Sequence, residues 1–203
     1  MSLKSHFICL LSCFITVAAF AQKNWTNSLD SLLAQPSSQS FNGKILVAQG
    51  DNILYSKTMG FANLSRKTPF KENDQFVIGS ISKQITAVLI LQQVEKGHVK
   101  IQQPIRKYLP KLTQLWADTV TVHHLLTHTH GIVAMDQALA FRPGSQYDYS
   151  QIGYQLLADI LEKVTGQSFA KLSANLFKQC GMKNSAHPDL NKGHLVKGWY
   201  EAE

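Results

Sequence analysis

The stretch FVIGSISKQITAVLILQQVEKG, residues 76–97, opens an apolar run with two serines and a lysine: Ser80, Ser82 and Lys83. A helix start needs one side-chain oxygen to accept a backbone N–H. A nucleophile needs a hydroxyl, a group to take its proton, and donors for the negative charge that follows. The spacing predicts a helix from Ser80 to Gly97, with Ile81, Ile85, Val88, Leu89 and Leu91 on its buried side and Gly97 left-handed after its end. Ser80 and Lys83, three apart, share a face of that helix. A partly desolvated lysine can take a serine's proton, and a helix N-terminus presents a positive dipole end to an oxyanion. Taken alone, the segment supports both a plain cap and a nucleophile.

A second segment, RPGSQYDYSQIGYQLLADILEKVTG (142–166), places Tyr149-Ser150-Gln151 at the start of another helix. Ser150 is its cap, Ile152, Leu156, Leu157, Ile160, Leu161 and Val164 form its apolar stripe, and Gly166 closes it. A tyrosine there can lie near a lysine and relay protons, or simply pack at the head of the helix. Before these helices, Trp25, Leu29, Leu32 and Leu33 recur at helical spacing until Pro36. Residues 41–62 change period, two β-rich runs flanking Gly50-Asp51-Asn52 as a hairpin turn. Pro104 and Pro110 bracket a turn-rich piece, a short helix runs from Thr121 to Gly131, and Phe169, Leu172, Leu176 and Phe177 mark a last helix closing at Gly181. Strands come first and helices fill the middle, and a lone hairpin leaves unpaired edges. The pattern therefore predicts an α+β fold whose C-terminal strands are missing from this chain.

The chain has 203 residues, 44% of them hydrophobic and 16% charged, which sets the expectation of one packed domain. Its first residues, MSLKSHFICLLSCFITVAAFAQ, carry Lys4, an apolar run from Phe7 to Phe20, and Ala19-Phe20-Ala21. This reads as a secretory leader over residues 1–21, too short for a spanning helix. The domain is then 22–203, with a periplasmic or secreted location and no transmembrane span once the leader is gone. Cys9 and Cys13 leave with the leader, so Cys180 has no disulfide partner. Its place before Gly181 suggests a small buried hydrophobe. The net charge of +7 comes from scattered lysines, without the basic, aromatic-interleaved stripe of a nucleic-acid binder.

In order, FVIGSISKQITAVLILQQVEKG, VTVHHLLTHTHGI and RPGSQYDYSQIGYQLLADILEKVTGQSF resemble successive blocks of the serine β-lactamase-like superfamily. The branch is that of class C β-lactamases, D-alanyl-D-alanine carboxypeptidases and esterases of the same fold, and the likeness runs from about Phe41 to the chain end. It implies a β-lactamase/transpeptidase-like architecture, an antiparallel sheet with a helical subdomain. It implies acyl transfer without metal or cofactor, on a small-molecule or peptidoglycan-derived substrate: a β-lactam, a D-alanyl peptide or an ester. The serine of the S-x-x-K motif falls on Ser80, its lysine on Lys83, and the tyrosine of Y-x-N on Tyr149. Ser82 lies inside the motif without being its nucleophile.

The chain departs from that pattern in four places. Gln151 stands where asparagine is usual, His130 where serine is common, and the segment from Gly131 to Pro143 is short. The K-T-G or H-x-G strand that lines the pocket is absent, Lys197-Gly198 lacking the middle residue. Losing one oxyanion donor costs roughly 2.7–4 kcal/mol of transition-state stabilisation, so a fragment of low activity is the expectation. Two rival readings remain. One is an inert envelope-binding protein of the same fold. The other is a zinc site built on His123, His124, His128 and His130, with His124 and His128 on one helical face, though the H-E-x-x-H glutamate is lacking.

Overall fold

A computed structural model of the chain describes residues 24–35, 41–63, 65–71, 73–191 and 193–196. The leader at 1–21 and the Lys197-Gly198 pair lie outside the described residues. The chain gathers into two compact units, divided between Asp74 and Gln75.

In the first unit, the helical spacing of Trp25, Leu29 and Leu33 gives α1, Asn24–Leu33, with these three half-buried and Leu32 exposed. The alternating runs form an antiparallel hairpin, β1 (Gly43–Gln49) and β2 (Asn52–Met59). Its turn is tighter than the sequence suggests, because Asn52 already pairs with Gln49 and only Gly50 and Asp51 remain in the loop. Trp25 meets Tyr55 with ring centroids 6.2 Å apart, and Asp30 accepts hydrogen bonds from Tyr55 Oη at 2.7 Å and Lys57 Nζ at 2.6 Å. These contacts tie α1 to β2. A second pair, β3 (Phe61–Asn63) and β4 (Thr68–Pro69), follows directly. Gly60, at φ +79°, lets Asn42 come close enough to accept the Phe61 N–H; a Cβ at Gly60 would lie 1.8 Å from Asn42 Oδ1.

The second unit is helical. Its elements are α2 (Ser82–Glu95), α3 (Val122–Leu126), α4 (Gln151–Thr165) and α5 (Phe169–Gln179). Their apolar sides meet in one core that includes Leu89, Ile90, Leu125, Leu157, Ile160 and Leu172. At such positions truncation of a leucine to alanine costs about 2–5 kcal/mol. Ser150 Oγ accepts the Gly153 N–H to start α4, Gly166 ends it at φ +66°, and Ser168 starts α5 through the Lys171 N–H.

Four local expectations are corrected. The helix predicted from Ser80 begins at Ser82, because Gly79–Ile81 forms a 3₁₀ turn ahead of it. Its buried residues are Thr86, Leu89, Ile90 and Gln93, whereas Ile81, Val88 and Leu91 are exposed. Apolar residues surround α2, so their periodicity singles out no face. The helix from Thr121 stops at Leu126, well before Gly131, since His128 takes a left-handed backbone at φ +56°. Cys180 is exposed: α5 ends at Gln179, so the phase that buries Leu176 and Phe177 does not extend to it.

Strand-like residues near the chain end do find a partner. Gln75 and Leu195 form a parallel bridge, with Gln75 N–H on His194 O at 2.9 Å and Val196 N–H on Gln75 O at 2.8 Å. Gln75 Nε2 also donates to Asn184 O at 2.6 Å. The molecule is thus α+β, with two-stranded antiparallel sheets and a helical unit among the described residues.

Candidate active site

Gly79, at φ +51°, turns the chain into the 3₁₀ segment that carries Ser80. Neither this turn nor α2 has a side-chain cap, so the Ser80 hydroxyl is not used as one. Instead Ser80 Oγ accepts from Tyr149 Oη at 2.6 Å and from Lys83 Nζ at 3.3 Å. The tight turn puts Ser80 just outside the α-helix and Lys83 in its first turn, on the same side.

Lys83 is gripped from several directions. Nζ donates to Gln151 Oε1 at 2.6 Å and lies 4.8 Å from the Tyr149 ring centroid and 5.5 Å from that of Tyr154. Two aromatic faces and an amide oxygen are all favourable surroundings for an ammonium. The extra methylene of Gln151 therefore leaves the contact with the lysine in place. Hydrogen bonding from Lys83, and secondarily from Ser80, holds the Tyr149 phenol below its ordinary pKa, against a smaller opposing push from burial. Ser80, Lys83, Tyr149 and Gln151, named from the sequence, are thus brought together around one hydroxyl.

The histidines have other work. His124 Nδ1 accepts the Thr121 N–H, completing a capping box on α3. His128 Nδ1 accepts the Ser150 N–H at 3.1 Å, and His130 Nδ1 accepts the Ile132 N–H at 2.9 Å. Burial lowers the pKa of all three, that of His130 to about 4. His124 and His128 do not share a helical face, because α3 ends between them. Among the described residues no group of three or more His, Cys, Asp or Glu side chains is placed to hold a metal ion. Nor is any helix among them long and apolar enough to cross a membrane.

Two features of the site escaped the sequence reading. Tyr154, one turn into α4, forms part of the lysine's surroundings and donates to Leu126 O at 3.1 Å. The buried His130 ring packs on Gly153, where a Cβ would lie 2.5 Å from Nε2. The glycine in Y-S-Q-I-G-Y was the available signal, an otherwise unfavourable residue within a helix. A cavity of about 520 Å³ opens beside Lys83, Gln151 and Tyr154, and Asp159 and Glu162 also line it. A second, of about 340 Å³, is mainly apolar and bounded by Phe76, Ile85, Phe169, Phe177 and Leu195.

Comparison with known proteins gives the same frame. The family model described as Beta-lactamase matches residues 29–200. A penicillin-binding protein of Bacillus subtilis is 32% identical over 172 residues, 71% of this chain and 38% of its own length. Esterase EstB of Burkholderia gladioli is 28% identical over 186 residues, 71% of this chain and 47% of its own. The crystal structure of a penicillin-binding protein from Bacillus halodurans superposes with a TM-score of 0.71 at 27% identity, over 80% of this chain and 58% of that one. The chain thus spans less than half the length of the two sequence relatives. Because the match begins within α1 and runs past Val196, through every later element of both units, the chain belongs to the beta-lactamase family.

Proposed function

We propose that this chain carries the nucleophile and proton-relay portion of a serine acyl hydrolase that works through an acyl-enzyme. Ser80 Oγ attacks the carbonyl carbon of a β-lactam, D-alanyl peptide or ester while its proton passes to the Tyr149 oxygen, whose phenolate form the neighbouring Lys83 favours. As the tetrahedral adduct collapses, Tyr149 returns that proton to the departing amine or alkoxide, and the acyl group stays on Ser80. Water, activated by the same pair, then releases the acid. Gln151 spends Oε1 on Lys83, which frees its Nε2 to donate to a substrate carbonyl. No metal enters these steps. The reading includes export, with residues 1–21 as the leader, so the substrate is met in the periplasm or outside the cell.

The observation that carries the reading is the pair of contacts on Ser80 Oγ, from Tyr149 at 2.6 Å and Lys83 at 3.3 Å. A serine doing no more than capping would aim its oxygen at backbone N–H groups. The test is mass spectrometry of the protein after exposure to a fluorescent penicillin and, separately, to a small activated ester, with Ser80→Ala as control. A covalent adduct on Ser80 that the variant lacks is the expected result. A folded protein that forms no adduct with either reagent overturns the proposal in favour of an inert binding protein of the same fold.

A further inference from the structure

The histidine after α3 is built into the site from a direction the motifs do not reveal. His128 is buried and left-handed, at φ +56°, a backbone state uncommon for a non-glycine residue. Its carbonyl accepts the Asp148 N–H at 2.8 Å and its Nδ1 accepts the Ser150 N–H at 3.1 Å. The residues on both sides of Tyr149 are therefore anchored to this one residue. Its ring lies against Tyr149 itself, with centroids 4.7 Å apart and planes at 34°. Tyr154 also packs on the ring, stacked at 5.0 Å and 29°.

The geometry points to His128 as a positioning residue for Tyr149, holding the phenol oxygen on Ser80 Oγ by fixing the backbone before and after it and by packing on its ring. The assignment rests on the proposed acyl-transfer role of Tyr149. Tyr149 is about half exposed and α4 begins only two residues later, so its own segment supplies little restraint. Because Nδ1 receives a backbone N–H, it carries no proton, and the neutral ring bears its hydrogen on Nε2. A side chain here must do three things: accept at the Nδ1 position, tolerate positive φ, and present a flat surface. Asparagine meets the first two requirements and phenylalanine only the third.

The test compares wild type, His128→Phe and His128→Asn in the whole chain, by the rate of Ser80 acylation with an activated ester. In parallel, Tyr149 is titrated by NMR of ¹³C-labelled tyrosine, its signal assigned by loss in Tyr149→Phe. A displacement of about 1 Å is enough to cost roughly a hundredfold. The expected result is a loss of tenfold or more in the limiting acylation rate for His128→Phe, little change in the ester concentration giving half-maximal rate, and a Tyr149 titration moved back toward that of a free phenol. His128→Asn should recover most of both. Thermal melts identify variants that are merely unfolded, and His128→Asn keeps the test open if His128→Phe is one of them. Wild-type acylation and an unmoved Tyr149 titration in both variants would overturn the assignment. So would equal loss in both with Tyr149 titrating as in wild type. If the wild type itself is never acylated while the Tyr149 titration still moves in His128→Phe, the acyl-transfer reading fails and the positioning by His128 stands.

Discussion

Substituting Gly153 by alanine sets two well-measured effects against each other. Within a helix the change ordinarily stabilises by up to about 1 kcal/mol, because alanine loses less backbone entropy on folding. At this position the new methyl would sit 2.5 Å from His130 Nε2 and 2.9 Å from Cδ2. The imidazole has little room to retreat, being 1% exposed and tethered through Nδ1 to the Ile132 N–H. Forcing a methyl into a filled core costs about 1–3 kcal/mol, and loss of the Ile132 bond would add about 0.5–1.5 kcal/mol. Strain wins, and we expect Gly153→Ala to destabilise by about 1–3 kcal/mol, read as a lower urea midpoint with unchanged slope. In a His130→Ser background the obstacle is gone, so the same substitution should be neutral or stabilising, with a coupling of about 1–4 kcal/mol in the double-mutant cycle. A higher urea midpoint for Gly153→Ala in the otherwise native protein would refute the reasoning.

Two further outcomes can be checked with simple assays. Because Lys83 is the main reason the Tyr149 phenol titrates below its ordinary value near 10, the acylation rate should climb with pH through that lowered value and level off before pH 10. Lys83→Met should move this limb upward as well as slowing the reaction, and a limb that stays put would rule out the phenolate as proton acceptor. Cys180 is exposed, so iodoacetamide should modify it in the folded protein without denaturant, as peptide mass mapping would show. Protection until unfolding would contradict the placement of that residue.

The parts of the molecule legible in sequence are those whose signals are local. Ser150 and Gly166 mark the two ends of α4 because a cap and a left-handed stop each depend on one residue. The three-residue spacing of Ser80 and Lys83 survives the shift of the helix start, since a 3₁₀ turn running into an α-helix still stacks such residues on one side. What could not be read depends on tertiary neighbours. The buried side of α2 is chosen by what packs on it, and an all-round apolar sequence leaves that choice open. The positive φ of His128 follows from the hydrogen bonds it makes to Asp148 and Ser150, some twenty residues away along the chain. The identical letter H therefore serves a helix cap at His124, a tyrosine anchor at His128 and a buried spacer against Gly153 at His130, with nothing in the string to tell them apart.

The pairing of Gln75 with residues 184 and 194–196 bears on the order in which the protein can assemble. Its side-chain bond to Asn184 joins positions 109 apart in the chain. Synthesis proceeds from the N-terminus, so the backbone leading into Ser80 is made long before the segment that pairs with it. Until residues 194–196 arrive, the N–H and C=O of Gln75 lack the partners they have in the folded chain. Closing so long a loop is slow compared with forming any of the helices inside it. Docking of that segment should therefore be a late folding event, and a hydrogen-exchange pulse during refolding should label the Gln75 and Val196 amides after those of α4 are already protected.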